Sequence, residues 1–348
     1  MKLLIFNYSM NSTSLVFSHQ RTIVEELSKN FSQIDVITAE SFTDLPIDRV
    51  RVFSTRWKPR HRFSNTISFY RIAIPLLIQH RGGTLFSHMT EVQSFLTIII
   101  CKMLRIRHFL WYAHKSSSIY LYFCYPFLKA VITSTPGSCS IHGKKVIPIG
   151  QSIDVNLSNL ITRDPKFPPK SWYHVGRIDQ SKKIEVIAEA LLPFNKVDSA
   201  ITLHIYGSIS SELSKGYFEN LIKKFASSEY SKWVFFHGAI KNSDLAKISM
   251  EHDGFIHAFW GSLDKTVIEA IILKRIVISS NPEYLKEFFG EIHQTKDSLM
   301  ELTRQLKVLY QSNKDEVTSE IDRKYQLAVA NHALHSWIYK LINLLEEK

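Results

Sequence analysis

The chain of 348 residues lacks acidic side chains over a long stretch of its first half. Between residues 49 and 153 the only acid is Glu91, against fifteen lysines and arginines. The formal net charge of the whole chain is +11, so all of the excess lies in this stretch and the rest of the chain is nearly balanced. Such an asymmetry predicts an anionic partner, whether nucleic acid, an acidic membrane surface or a phosphorylated substrate.

Cysteine is also scarce. The three cysteines, Cys101, Cys124 and Cys139, are an odd number, and their spacing is not that of metal ligands. Reduced thiols in a cytoplasmic protein are the expected state of such a set. Neither a disulfide framework nor a metal site is predicted.

Long apolar runs are missing as well. The run from residue 95 to 100 is cut by Lys102, and the run from 119 to 128 is cut by Lys129. Both are shorter than a bilayer requires, and the apolar start at residues 3–6 is too short for a secretory signal. We therefore expect a cytoplasmic protein that is soluble or peripheral on the inner face of the plasma membrane.

Short apolar runs and helical patterns alternate along most of the chain. They alternate from residue 2 to 148 and again from 171 to 289, with a polar, proline-containing segment between. Alternating strands and helices favour parallel βαβ units. The prediction is an α/β protein of two doubly wound, Rossmann-like domains facing across a cleft, spanning residues 1–155 and 165–330. Such clefts often hold ligands.

The stretch from Gly261 to Ser280 combines a polar turn, a helix and a buried strand. A helix start offers free backbone N–H groups and a positive dipole end, which suit a phosphate. Glu269, one turn into this helix, is placed to accept hydrogen bonds from hydroxyl groups. A nucleotide sugar has both features, although a plain surface glutamate fits the pattern equally well.

A second basic turn follows the first strand of the second domain. Gly176 ends that strand, and Arg177 and Lys182 bracket the turn before the next helix. Two cations held there would clamp a diphosphate and stabilise it as a leaving group; an exposed basic turn is the alternative. Gly207 and Gly238 follow two further strands, where glycine lets a ligand approach the main chain.

These blocks together resemble the family 4 glycosyltransferases of the GT-B fold, of the bacterial surface-polysaccharide type. The matching segments, in order, are residues 175–178 with 182, 205–207, 234–238, 253–257 and 263–270. The final helix, residues 331–348, is similar to the one that crosses back onto the first domain in that fold.

The resemblance implies roles for individual residues. Arg177 and Lys182 would act on the donor diphosphate, and His114, after a strand of the first domain, would contact the transferred sugar or the acceptor hydroxyl. Donor-binding positions would be Gly176, Gly207, His237, Gly238, Leu263, Lys265, Thr266, Val267 and Glu269. The implied reaction retains configuration and needs neither a metal nor another cofactor.

The chain departs from the family pattern at three places. Gly261 stands where the family has an acid that touches the transferred sugar. Lys183 replaces the glycine usual after Lys182, and the normally glycine-rich first loop reads Asn-Ser-Thr-Ser at residues 11–14. The first departure weakens any inference about the donor sugar.

The segment from Arg49 to Phe63 mixes cations with the aromatic residues Phe53, Trp57 and Phe63. This composition is typical of a patch that meets anionic headgroups, and equally of a solvated basic loop. A lipid-linked acceptor, which many bacterial members of the family use, would favour contact with the inner membrane surface.

The sequence therefore predicts a retaining glycosyltransferase that moves a sugar from a nucleotide-diphosphate donor to a growing, lipid-linked oligosaccharide in O-antigen, capsule or lipopolysaccharide synthesis. One alternative is a non-catalytic nucleotide-sugar binder in such a pathway, suggested by Gly261. The other is a nucleic-acid binder, suggested by the basic first half. No helix-turn-helix, zinc or RNP pattern supports the latter, so no nucleic-acid partner is expected.

Overall fold

The computed structural model describes residues 1–12, 14, 17–40, 45–58, 60–197, 200–209, 211–226, 229–290 and 297–347. Of the positions singled out above, Thr13 and Lys348 lie outside these ranges. The chain divides into two compact units. Unit 1 comprises Met1–Gly150 with His335–Lys348, and unit 2 comprises Gln151–Leu334.

Unit 1 is built around a seven-stranded parallel sheet. Its elements before residue 150 are β1 (Lys2–Asn7), α1 (Ser18–Ser28), β2 (Gln33–Thr38), β3 (Val50–Ser54), α2 (Arg62–Gln79), β4 (Thr84–His88), α3 (Glu91–Met103), β5 (Arg107–Trp111), α4 (Ile119–Cys124), β6 (Ala130–Thr133) and β7 (Val146–Pro148). The strand order is β3-β2-β1-β4-β5-β6-β7, and every neighbouring pair is parallel.

Unit 2 is built around a five-stranded parallel sheet. Its elements are β8 (Ser171–Val175), α5 (Ile184–Val197), β9 (Thr202–Tyr206), α6 (Glu212–Phe225), β10 (Val234–Gly238), α7 (Leu245–Glu251), β11 (Gly254–His257), α8 (Lys265–Ile272), β12 (Ile276–Ser279), α9 (Pro282–Phe289), α10 (Ser298–Gln311) and α11 (Lys314–His332). The order is β10-β9-β8-β11-β12. The last helix of the chain, α12 (Leu334–Glu346), belongs almost wholly to unit 1.

The connections of unit 1 decide which helices share a face of its sheet. The chain moves one way along the sheet from β1 through β2 to β3, and the other way from β4 to β7. Right-handed crossovers therefore place α2, α3 and α4 on one face and α1 on the other. Leu85 of β4 packs with α2 and α3, in a cluster that includes Phe69 and Leu77.

Helix α12 covers the opposite face of the unit 1 sheet. The Trp337 side chain is fully buried, with its ring centroid 5.1 Å from that of Trp111 and 6.5 Å from that of Phe86. Because Phe86 follows Leu85 on β4, the two side chains point to opposite faces. The return of the C-terminal helix to the first domain agrees with the family resemblance.

The predicted α/β class, with two doubly wound parallel sheets, is confirmed. The observed strands lie within the two ranges where apolar runs alternate with helical patterns, residues 2–148 and 171–289, because buried parallel strands read as short apolar runs between polar turns. None of the described helices is long and apolar enough to cross a membrane.

We expect Trp337→Ala to lower the free energy of unfolding of unit 1 by about 3–5 kcal/mol, because it removes a fully buried ring and leaves a cavity. Chemical denaturation followed by circular dichroism measures the change. Tyr339→Ala, on the same helix but 68% exposed, is the matched control and should change it by less than about 0.5 kcal/mol. Equal effects of the two variants would contradict the packing of α12.

Candidate functional site

Three glycines lie side by side at the carboxyl ends of adjacent strands in unit 2. Gly176 follows β8, Gly207 follows β9 and Gly238 ends β10. The amide of Gly176 donates to the carbonyl of Tyr206 at 3.0 Å, and the amide of Gly207 donates to that of Gly238 at 2.7 Å. The structure therefore brings together three positions that the sequence predicted as a site, at the edge where doubly wound sheets bind ligands.

The backbone at this edge leaves no room for a side chain at Gly207. A Cβ atom there would lie 2.0 Å from the carbonyl oxygen of Gly176 and 3.0 Å from Ile178 Cγ1. Gly238 adopts a φ of +76°, which favours glycine for a different reason. The first of these glycines is therefore needed for packing of the main chain, and the second for its conformation.

Lys182 lies in the turn between β8 and α5. Asp179 shapes this turn, because its carboxylate accepts a hydrogen bond from the amide of Ser181 at 3.0 Å. Lys183 then adopts a φ of +49°, in the left-handed region. A side chain in this region costs roughly 1–2 kcal/mol, a cost that the glycine of the family pattern would avoid.

The Lys182 ammonium group is buried in an ion pair with Asp264. Lys182 is 6% exposed, and Nζ hydrogen-bonds Asp264 Oδ2 and lies 4.0 Å from the centre of the Phe259 ring. Asp264 immediately precedes α8, so the ion pair ties the basic turn to the start of that helix. The sequence predicted both segments as parts of one site, and this contact joins them.

A buried histidine completes the surroundings of Asp264. His257 Nε2 lies 3.4 Å from Asp264 Oδ2, and its Nδ1 lies 3.1 Å from Ser279 Oγ. Burial opposes ionisation of Asp264, but the charge of Lys182 and the hydrogen bond with His257 hold the pKa of its carboxyl well below the usual range. Burial lowers the pKa of His257, so the pair of Lys182 and Asp264 carries the charge.

The start of α8 has the properties of an anion site. Because the Asp264 carboxylate is bound to Lys182, it forms no side-chain cap on the first amides of the helix. Thr266 Oγ1 is buried without a hydrogen-bond partner among the described residues. Leu263 and Val267 belong to the core cluster of unit 2, so their side chains anchor the start of α8.

The loop before α8 is braced from two sides. Asn281 Nδ2 donates to the carbonyls of Phe259 at 3.0 Å and Ser262 at 3.1 Å, while its Oδ1 caps α9. Gln151 Nε2 donates to the carbonyl of Leu263 at 2.6 Å. These bonds fix the loop conformation and hence the direction in which the first amides of α8 point.

Glu269 and Lys265 occupy one face of α8, four residues apart, and both are half-buried. Burial raises the pKa of the Glu269 carboxyl and lowers that of the Lys265 ammonium, and each charge partly offsets the effect on the other. A half-buried carboxyl group at this position can form hydrogen bonds with hydroxyl groups.

Arg177 is more exposed than Lys182, and its contact with a carboxylate is longer. Its side chain is 61% exposed and lies 3.6 Å, Nε to Oδ2, from Asp179. His237, also predicted to bind donor, stacks on Tyr206 with ring centroids 4.5 Å apart, and its Nε2 lies 2.9 Å from His204 Nδ1. Both side chains are exposed beside the glycine edge.

Gly261, the position of the missing acid, lies beside an aromatic ring. A Cβ atom at Gly261 would lie 2.2 Å from Cζ of Phe259. An acidic side chain would therefore require the Phe259 ring to move, and this ring also covers the ammonium of Lys182. The Phe259 ring in its present position is therefore compatible with glycine at 261 and not with the acid of the family pattern.

His114, the third predicted catalytic residue, is part of unit 1. It is exposed in the loop after β5, and its ring makes an edge contact with Tyr112 at 5.8 Å between centroids. Within the described ranges, no three histidine, cysteine or acidic side chains converge in an arrangement that would hold a metal ion.

Sequence reasoning missed several residues that shape the site, namely His174, His257, Phe259, Asp264 and Asn281. Only Asp264 carried a usable signal, as an acid before a helix, and that pattern suggests a helix cap rather than the ion pair observed. The others act through packing or through contacts distant in sequence. His174 Nε2, for example, is buried without a partner in the described part of unit 2, 3.2 Å from where a Cβ of Gly176 would lie.

The two parallel sheets and this glycine-lined edge define the chain as a protein of the GT-B fold, the fold of many nucleotide-sugar-dependent glycosyltransferases. No family model matches the sequence, and no curated protein matches it. The likeness is to solved structures.

Three solved structures illustrate that likeness over the whole chain. HepE from Anabaena in complex with UDP and glucose is 13% identical, with a TM-score of 0.71, and the match covers 100% of both chains. A glycosyltransferase from Rickettsia africae is 12% identical at a TM-score of 0.73, covering 99% of this chain and 98% of that one. The α,α-trehalose 6-phosphate synthase of Burkholderia multivorans is 9% identical at 0.75, covering 99% and 97%.

Gly207→Ala should destabilise unit 2 by about 1–3 kcal/mol, because the added methyl group meets the backbone oxygen of Gly176 and forces the strand ends apart. Gly216→Ala is the control. Gly216 lies within α6 with nothing within 4 Å of an added Cβ, so that alanine should stabilise by about 0.5–1 kcal/mol. Thermal unfolding of both variants measures the difference, and a neutral Gly207→Ala would contradict the close approach.

Proposed function

We propose that this protein is a glycosyltransferase that takes a sugar from a nucleotide-diphosphate donor bound at the glycine edge of unit 2. The observation that carries the proposal is the ion pair of Lys182 with Asp264, which sets a buried cation at the uncapped start of α8, beside three strand-end glycines. The match of the whole chain to HepE, whose structures hold UDP and UDP-glucose, supports the assignment.

In this proposal the donor diphosphate meets the first amides of α8. The backbone from Leu263 to Val267 supplies N–H groups, and the Thr266 hydroxyl supplies a further donor. Oriented amides and the helix dipole stabilise negative charge without any reorganisation. Gly176 and Gly207 allow the ligand to approach the main chain from the sheet edge.

The charges of the site give Arg177 and Lys182 different roles. Asp264 is ionised and neutralises much of the Lys182 charge, so the buried pair alone attracts an anion weakly. Arg177 is exposed and lies 3.6 Å, Nε to Oδ2, from Asp179 of the same turn, so its guanidinium can turn toward a bound diphosphate. Arg177 thus supplies most of the net positive charge, and Lys182 a fixed hydrogen-bond donor.

The reaction breaks the bond between the sugar anomeric carbon and the terminal phosphate oxygen. The nucleoside diphosphate leaves with that electron pair, and the acceptor hydroxyl oxygen forms the new bond as its proton is released. Arg177, Lys182 and the helix amides stabilise the charge on the leaving group, as a metal ion does in other enzymes. We propose on the family resemblance that configuration is retained and that no metal is required.

Glu269 is proposed to bind the ribose hydroxyls of the donor. Its position one turn along α8 separates it from the helix start by about the distance between a ribose and its diphosphate. His237, stacked on Tyr206, would lie toward the base. His114 of unit 1 is proposed to act on the acceptor hydroxyl or the transferred sugar.

The acceptor we propose is a growing, lipid-linked oligosaccharide in the synthesis of a bacterial surface polysaccharide, on the cytoplasmic side of the inner membrane. The family resemblance and the basic stretch from residue 49 to 153 support this choice. A basic protein is attracted to an anionic membrane surface, where the sugars of a membrane-anchored acceptor would be within its reach.

A non-catalytic nucleotide-sugar binder is the second candidate. It is favoured by the Phe259 ring, which lies where a Cβ of residue 261 would be and so replaces the acid that touches the transferred sugar in the family pattern. Such a protein would bind the donor through the same contacts and would not cleave it.

The experiment begins with a thermal-shift screen of UDP-, GDP- and other sugar nucleotides, followed by donor cleavage with and without acceptor. Arg177→Ala should lower turnover by about 100-fold or more while the melting temperature stays unchanged, because the side chain is exposed. Lys215→Ala, an exposed lysine of α6, is the matched control and should retain full turnover.

Three outcomes are informative. Wild-type turnover by the Arg177 variant would remove this mechanism. A melting shift with a sugar nucleotide but no cleavage of any donor would establish the second candidate. Loss of turnover in EDTA, restored by a divalent cation, would contradict the proposed independence from metal.

A further inference from the structure

The outer face of α2, α3 and α4 in unit 1 is apolar where a solvent-facing helical layer is normally polar. On α2 the exposed positions include Ile67, Ile74 and Ile78, spaced by seven and four residues. On α3 they are Phe95, Ile99 and Met103, spaced by four, with Met103 77% exposed. On α4 and just after it they are Ile119, Tyr120, Tyr122, Phe123 and Phe127.

The three helices that carry these side chains pack side by side. The ring centroid of Phe95 lies 5.4 Å from that of Tyr120 and 6.0 Å from that of Phe123, which joins α3 to α4. The Tyr70 hydroxyl donates to the carbonyl of Leu96 at 2.7 Å, which joins α2 to α3. All three helices lie on the same face of the sheet, so their outward side chains share a direction.

The same layer is positively charged. Between residues 62 and 129 the exposed cations are Arg62, Arg71, Arg81, Lys102, Arg105, Lys115 and Lys129. The only acid in that range is Glu91, which is half-buried and whose carboxyl pKa is raised by burial. The three helices and the loops that join them therefore carry exposed cations and almost no opposing charge.

We propose that the α2–α4 face is a docking surface for an anionic phospholipid bilayer. Its apolar side chains would enter the boundary between headgroups and acyl chains, and the surrounding cations would meet lipid phosphates. Exposed apolar side chains grouped on one face of a protein often mark a site of contact with a membrane or another protein. A second copy of this chain docked through the same face would place cations against cations, so the charge favours the bilayer.

This surface differs from the segment that the sequence suggested. In residues 49–63, Arg51 is bound to Asp35, with Nε 2.6 Å from Oδ1, and the Phe53 and Trp57 side chains are half-buried. Phe63, which is 81% exposed, begins α2 and extends the helical surface. The interface therefore lies along the three helices, because their outward residues carry the exposed apolar area.

The proposal deepens the proposed function by giving a membrane-anchored acceptor a surface on the protein. It does not depend on the donor site, and its test uses no sugar nucleotide. Failure of the docking surface would leave the donor chemistry intact, and failure of donor cleavage would leave the docking surface intact.

Vesicle flotation of the full chain provides the test. One set of vesicles is phosphatidylcholine alone, and the other contains equal parts of phosphatidylcholine and phosphatidylglycerol. Ile99→Asp and Met103→Asp alter the apolar surface, and Arg71→Glu alters its charge. Leu213→Asp, on α6 of unit 2 and 89% exposed, is the matched control. Circular dichroism and gel filtration confirm that each variant is folded.

The wild type and the Leu213 variant should float with the anionic vesicles and much less with the neutral ones. Each of the Ile99 and Met103 variants should lose about tenfold or more in partitioning, and Arg71→Glu should lose binding chiefly at low salt. Absence of wild-type flotation, or equal flotation of all variants, would overturn the proposal. So would a wild-type dimer that Met103→Asp dissociates without any change in vesicle binding.

Discussion

The ion pair between Lys182 and Asp264 is the interaction on which the candidate site depends. It joins two segments 82 residues apart in sequence, the turn after β8 and the start of α8. By engaging the Asp264 carboxylate it leaves the first amides of α8 uncapped, and by burying the ammonium it fixes a hydrogen-bond donor beside them. Removing one partner would leave the other charge buried and uncompensated, which is strongly destabilising.

The fold could be predicted largely from the sequence. Buried parallel strands such as β1 and β11 contain short apolar runs followed by polar or glycine residues. This pattern can be recognised in the sequence without knowing which residues pack together. The glycine edge was predictable for the same reason, since Gly176, Gly207 and Gly238 each follow a strand. The three glycines lie close together because β8, β9 and β10 are neighbours in the sheet.

The finer geometry of the site could not be predicted, because it rests on contacts between residues distant in the chain. Nothing in the sequence signals that Asn281 braces the loop at Phe259, or that the Phe259 ring lies against Gly261. The departure at Lys183 is a similar case. Its left-handed conformation, which glycine adopts without strain, could not be anticipated from a lysine at this position. The exposure of the apolar side chains on α3 could not be predicted either, because α3 is apolar on more than one face and the sequence does not show which face is buried.

The central claim is that the start of α8 and the glycine edge of unit 2 bind a nucleoside diphosphate. Hydrogen exchange of the full chain, with and without saturating UDP or GDP, tests it most directly, because bound phosphates protect the amides that they contact. The account predicts slower exchange in peptides covering residues 262–268 and 175–183 with the matching nucleotide. Protection confined to other parts of the chain, while both these segments exchange as in the free protein, would contradict it.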